Sequence, residues 1–281
     1  MTALSHLLAP AKLNLFLHVT GRRPDGYHLM QSVFMLIDWC DVLHIELRTS
    51  GHISREDLTS PLPADDLIVR AARLLQQASG TRLGAHIAID KRLPAMAGLG
   101  GGSSDAATTL LALNRLWGLG WGRRQLSALG LQLGADVPFF LFGRHAWAEG
   151  VGEELSPVDL PIQRWVVVKP PSGLSTAAIF NAPDLERSHK SATIADFVAQ
   201  PHGFGQNDLQ QVAQRLCPDV QAALDWLHSL GLKPRMTGSG SAVFAPVPDT
   251  FVLPPAPAGF TLQMCHNLEQ HPLVGWCSSD E

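Results

Sequence analysis

Cysteine is scarce in this chain: four among 281 residues (Cys40, Cys217, Cys265 and Cys277), with no CxxC pair. That argues against a disulfide framework and reads as the reduced thiols of a cytoplasmic protein. A zinc site built from Cys265, His266, His271 and Cys277 is disfavoured too, because two adjacent ligands suit few tetrahedral sites. Charge is thin: 16% of residues are Asp, Glu, Lys or Arg, against roughly 25% in an average soluble domain. With 46% hydrophobic residues, that is the composition of a packed protein rather than a disordered one. A basic excess is missing, since 21 Lys and Arg against 25 Asp and Glu give a formal net charge of −4, which argues against a general nucleic-acid binder. Long apolar runs are missing as well; the longest, such as 33–37 and 137–142, are strand-sized, so no membrane partner is expected. Residues 1–14 show no basic stretch ahead of their apolar residues, so no secretory leader is expected. The dipeptide Gly-Lys does not occur, which excludes a Walker A loop. No repeat recurs at a period of roughly 20–50 residues. A soluble intracellular protein, monomeric or weakly homodimeric, is expected.

The patterning alternates between strand and helix. Leu13–Val19 and Val42–Leu47 carry apolar strand-type runs, and His86–Ile89 alternates polar with apolar residues. Residues 66–77 place Leu67, Ala71, Leu74 and Leu75 at helical spacing, with Asp65 and Asp66 at the start and Gly80 past the end. A second helix is predicted over Asp105–Trp117, with Ala106, Leu110, Leu113 and Trp117 on one stripe. Two prolines break the pattern within 155–162; a buried-type strand at Trp165–Val168, a helix near Val220–Leu230 and a Gly/Ser turn at Thr237–Ser241 follow. The fold class expected is α+β, with two domains over residues 1–160 and 161–281.

The strongest chemical signal is Pro94-Ala95-Met96-Ala97-Gly98-Leu99-Gly100-Gly101-Gly102-Ser103-Ser104, lying between the predicted 86–89 strand and the 105–117 helix. Glycines let backbone N–H groups turn inward toward an anion, and the helix that follows offers free N–H groups and the positive end of its dipole. Ser103 and Ser104 stand where a helix N-cap is expected. A dinucleotide fingerprint fits less well, because the loop is far from the first strand and has no acid at the required distance. A plain Gly/Ser linker is the bland alternative.

Two further segments carry chemistry. In Pro10-Ala11-Lys12-Leu13-Asn14, Lys12 and Asn14 are two apart and share one face of a strand. In Gly134-Ala135-Asp136-Val137-Pro138, Asp136 is either a helix cap or a functional acid. An acid to accept a hydroxyl proton, a cation to stabilise the alkoxide and a loop to hold the transferring phosphate are what alcohol phosphorylation requires.

Together with Thr237-Gly238-Ser239-Gly240-Ser241, these segments resemble the ordered motifs of the GHMP small-molecule kinases. More narrowly, Gly21-Arg22-Arg23-Pro24-Asp25-Gly26-Tyr27-His28 with Gly98–Ser104 is similar to the branch acting on a cytidine diphosphate-linked methylerythritol. The resemblance implies an active site in an interdomain cleft and ATP-dependent phosphorylation of that substrate's 2-hydroxyl, a step of the non-mevalonate isoprenoid pathway. It implies ATP phosphates on residues 94–104, Lys12 and Asp136 as the catalytic pair, and substrate contacts from Asn14, Tyr27, His28, Thr176 and Phe180. Mg²⁺ is expected with the nucleotide. The chain has Asp65-Asp66-Leu67 where the family commonly shows Asp-Asn-Leu, so no amide contact to adenine is carried over there; two extra glycines precede Ser103, so no metal ligand is assigned. Tyr27, the single tyrosine, follows a turn and offers a ring to stack on a pyrimidine, with Phe180 on the other side. His28 offers a donor and an acceptor to a cytosine edge. The rivals are a GHMP kinase for homoserine, mevalonate or a sugar, and a nucleotide-binding regulator without catalysis.

Overall fold

The computed structural model describes residues 2–201 and 203–278. Two long strands, β1 (Ala3–Arg22) and β2 (His28–Arg48), pair antiparallel around a turn at residues 23–27. There follow β3 (Ile53–Asp57), α1 (Leu67–Ser79), β4 (Gly84–Asp90), α2 (Gly101–Leu116), α3 (Arg123–Leu131), α4 (Val137–Phe142), β5 (Ala146–Glu149) and β6 (Glu154–Pro157). The remainder holds β7 (Arg164–Lys169), α5 (Thr176–Phe180), α6 (Ile194–Ala199), α7 (Gln210–Leu216), α8 (Pro218–Ser229), β8 (Arg235–Met236), β9 (Val243–Val247) and β10 (Thr261–His266). The first sheet runs β3-β4-β2-β5-β6, with β1 also on β2; the second runs β10-β7-β9-β8. Among the described strands, β3 and β4 alone pair in parallel, and the fold is α+β, as the patterning predicts. Among the described residues, no helix is long and apolar enough to cross a membrane.

α1 follows its sequence signals closely. Asp66 is the N-cap, its carboxylate accepting from the Val69 N–H at 3.1 Å, and Gly80 closes the helix at φ 68°. Ile68, Ala71, Ala72 and Leu75 bury one face.

α2 departs from expectation: it begins at Gly101, four residues before Asp105, so Gly101–Ser104 form its first turn. The N-cap is Gly100 at φ 71°, and neither Ser103 nor Ser104 caps the helix. The Ser104 N–H already donates to the Gly100 carbonyl at 2.9 Å, and its hydroxyl is buried with no partner among the described residues. Two glycines are poor helix formers, but Ser104 through Asn114 are buried without a break, and this packing carries the first turn with it.

β1 and β2 are far longer than the apolar runs within them. Ala11, Leu13, Leu15 and Phe16 join Val33, Met35 and Trp147 in a core shared with Trp165, Val167 and Phe244 of the second sheet. Leu17, Phe34 and Leu36 belong to the larger core against α1, α2 and α4. Both faces of the hairpin are therefore covered. A register shift between Asn14 and Leu17 turns Leu15 and Phe16 to the same core and breaks the alternation a strand reader looks for.

Beneath α2 lies a buried charge cluster. The Lys91 ammonium bonds Asp41 and, at 2.6 Å, Asp105. Asp41 also accepts from the backbone N–H groups of Arg92 (2.6 Å) and Leu93 (2.7 Å), whereas Asp105 Oδ1 has no partner among the described residues. One cation cannot neutralise two acids, and burial pushes the Asp105 carboxyl up to about 8 despite Lys91. A carboxyl raised on folding is protonated in the native state and ionised in the unfolded chain, so its contribution falls as pH rises from the ordinary carboxylate range toward 8. Chemical denaturation of Asp105→Asn is expected to show little loss at pH 6 and a flatter stability profile up to pH 8. Lys91→Met, which strands the acids, is expected to lose about 3–5 kcal/mol.

Candidate active site

A cleft of about 780 Å³ opens where the first sheet, the start of α2 and the Thr237–Ser241 turn meet. Lys12, Asn14, Asp136, Thr176, Phe180 and residues 94–103 all line it. Ser104 does not, because its hydroxyl turns into the core; Tyr27 and His28 lie outside the lining too.

Lys12 sits on β1 opposite Leu36 and is only 4% exposed. A buried ammonium needs partners. It donates to Asn14 Oδ1 at 2.5 Å, lies 5.1 Å over the Phe34 ring, and reaches Asp136 Oδ2 at 3.6 Å. Asn14 is fixed in turn: its side-chain amide donates to Ser32 Oγ at 2.9 Å, and Ser32 donates to the Phe16 carbonyl at 2.5 Å. Asp136 stands just before α4 in helical backbone, and its side chain makes no capping bond, which removes the cap reading. Pro138 stands in the first turn of that short helix and Gly143 ends it at φ 77°. Over a hundred positions apart in sequence, the two charges are brought together by β1 and α4.

The glycine segments close on each other. Ser241 N–H donates to the Met96 carbonyl at 3.2 Å and Ala242 N–H to the Ala97 carbonyl at 3.1 Å. Thr237 Oγ1 accepts from the Asn14 N–H at 2.9 Å and donates to the Gly98 carbonyl at 3.4 Å, tying β1 to both turns. A Cβ on Gly98 would fall 2.2 Å from the Thr237 carbonyl oxygen, and one on Gly100 would meet Phe140 at 3.0 Å and Lys12 at 3.2 Å. Glycine is required here for close approach as well as for positive φ. Thr176, at the start of α5, bonds Ser239 at 2.8 Å.

The substrate-side candidates divide. Tyr27 projects from the β1–β2 turn, 64% exposed, its N–H held by Asp25 at 3.2 Å. His28 packs on Phe180 with ring centroids 5.1 Å apart. Phe34 and Ser32 are parts of the site that pattern reading missed. The Asp25-Gly26 turn is the one signal that could have aligned β1 with β2, and the register shifts in the hairpin spoil even that count.

Residues 66–144 match the family model for the GHMP kinases N terminal domain and residues 184–251 that for the GHMP kinases C terminal. A protein of Albidiferax ferrireducens called 4-diphosphocytidyl-2-C-methyl-D-erythritol kinase is 62% identical over 280 residues, covering 100% of this chain and 98% of the relative. A crystal structure of 4-(cytidine 5'-diphospho)-2C-methyl-D-erythritol kinase superposes with a TM-score of 0.78 at 36% identity, over 92% of this chain and 98% of that one. Homoserine kinase from Cytophaga hutchinsonii shares the fold at a TM-score of 0.67 and 14% identity, over 96% of each chain. With two glycine turns closed around a lysine–aspartate pair, and relatives of this identity along its whole length, the chain belongs to the GHMP kinases, the ATP-dependent small-molecule kinases, alongside those named 4-diphosphocytidyl-2-C-methyl-D-erythritol kinase.

Proposed function

We propose that this kinase transfers the γ-phosphate of ATP to the 2-hydroxyl of 4-diphosphocytidyl-2-C-methyl-D-erythritol, a step of the non-mevalonate isoprenoid pathway. The observation that carries the reading is the Lys12–Asp136 pair, 3.6 Å apart in a cleft walled by both glycine turns. Full-length relatives bearing that name support the choice of substrate. Asp136, free of any capping bond, takes the hydroxyl proton as the oxygen attacks phosphorus and the bond to ADP breaks. Lys12, aimed by Asn14 and Phe34, stabilises the developing alkoxide. Residues 95–103, at the N-terminus of α2, hold the phosphates through backbone N–H groups; Pro94 has no N–H to offer, and that of Ser104 is taken by the Gly100 carbonyl.

Among the described residues, no cluster of three or more His, Cys, Asp or Glu forms a metal cage. Of the oxygen-bearing side chains that line the cleft, which also include Asp66 and Asp105, Asp136 and Ser103 would hold a hard ion arriving with the nucleotide. Mg²⁺ held there supplies charge neutralisation on the phosphates. Asn14, Tyr27, His28, Thr176 and Phe180 form the substrate side. On this reading residues 1–160 are the nucleotide-binding domain and 161–281 the second domain of a cytoplasmic monomer or weak homodimer.

An ADP-release assay with the cytidyl substrate, homoserine and mevalonate tests the proposal. Turnover is expected with the first alone; phosphorylation of mevalonate but not the cytidyl compound overturns it. Tyr27→Ala is expected to raise KM for the cytidyl substrate about tenfold with kcat little changed, the loss of one stacked base. An unchanged KM removes Tyr27 from the substrate side.

A further inference from the structure

His28 does not keep both hydrogen-bonding roles open to a ligand. Arg187, in the stretch between α5 and α6, donates its Nε–H to His28 Nε2 at 3.1 Å. The same guanidinium is pinned by three backbone carbonyls: Leu185 at 2.9 Å, Phe180 at 3.1 Å and Ala182 at 2.6 Å. Arginine stays protonated and has no acceptor atom, so the imidazole nitrogen facing it must carry the lone pair. A neutral ring with its lone pair on Nε2 has its proton on Nδ1, and Nδ1 has no partner among the described residues. Burial, with the Arg187 and Arg22 guanidiniums beside the ring, holds the His28 pKa below its ordinary value and keeps the ring neutral.

We propose that Arg187 is a specificity-determining positioning residue: it locks His28 as the Nδ1–H tautomer, a pure donor toward the base of the substrate. The proposal rests on the reading that His28 contacts that base. Cytosine presents an acceptor ring nitrogen where uracil presents an N–H, so a fixed donor favours cytosine and opposes uracil. An imidazole free to exchange tautomers would accept either. The contact also couples the tautomer to the stacking pair, because the Arg187 fork holds the Phe180 carbonyl while its Nε–H holds the ring packed on Phe180. This gives a task to a stretch whose sequence carries no motif.

Imidazole-nitrogen NMR of histidine-labelled full-length protein, with His28 assigned by His28→Gln, tests the tautomer without disturbing Arg187. The expected spectrum has Nδ1 protonated and Nε2 bare; a protonated Nε2 overturns the proposal. Arg187→Met then removes the donor, and Arg187→Gln offers an amide N–H in its place. Arg187→Met is expected to raise KM for the cytidyl substrate about tenfold, leave KM for ATP unchanged, and lower the preference over a uridine-diphosphate-linked analogue by a similar factor. Partial recovery by Arg187→Gln supports the donor role. Unchanged KM and base preference in a folded Arg187→Met, with KM raised in His28→Gln, overturns the role of Arg187 alone. Unchanged KM in His28→Gln overturns both this inference and the contact it rests on.

Discussion

Asp136→Asn is expected to fold, to bind ATP as the parent does, and to lose about 10²–10⁴ in kcat, the usual contribution of a positioned general base. Asparagine keeps the shape and removes the one property the mechanism needs, a lone pair basic enough to take the hydroxyl proton. The structure makes this a clean substitution. Asp136 supports no capping bond, and its ion pair with Lys12, at 3.6 Å with the carboxylate partly exposed, contributes little to stability. Rapid-quench measurement of a single turnover separates the chemical step from product release. Near-parental turnover would make Asp136 a neighbour of the reaction rather than its base.

Lys12→Met should also lower kcat, by about 10²–10³, in the range found when one preorganised charge or donor is withdrawn from a transition state. Stability should respond differently from the Asp136 case. Methionine retains the buried stem against Gly100 and Phe34 and removes a cation that is only 4% exposed, so folding should be tolerated well. The cost falls on Asn14, whose Oδ1 loses its donor. The double variant Lys12→Met/Asp136→Asn is expected to fall well short of the product of the single losses, since on the proposed mechanism both residues serve one proton transfer and one alkoxide. Multiplicative losses measured in kcat would show that the two act separately.

What the sequence made legible follows the range of the interactions involved. α1 is set by local chemistry, an aspartate cap at position 66 and a left-handed glycine at position 80 on either side of an apolar stripe, and it lies where the pattern places it. The glycine-rich segment reads as an anion site through composition alone. α2 begins earlier than its residues advise because burial of its whole length outweighs the low helix propensity of Gly101 and Gly102. The β1–β2 hairpin hides its length because two different cores cover its two faces and a bulge shifts the register midway. Arg187 was illegible for a stronger reason: its bond to His28 spans 159 positions and exists only once α5 and the hairpin meet. The same holds for the clasp of Thr237 on Gly98 and Asn14. The pairing of Tyr27 with Phe180 around one base was a reading from residue type; Phe180 already has His28 on it, while Tyr27 stands free at the turn.

The most direct measurement is a crystal structure of the protein with a non-hydrolysable ATP analogue and the cytidyl substrate together. The account predicts the acceptor oxygen about 2.6–3.2 Å from the Asp136 carboxylate, with the terminal phosphate cradled by residues 94–103 and the Lys12 ammonium beside both. An acceptor hydroxyl seated away from Asp136, or a terminal phosphate that does not reach the glycine turns, contradicts it.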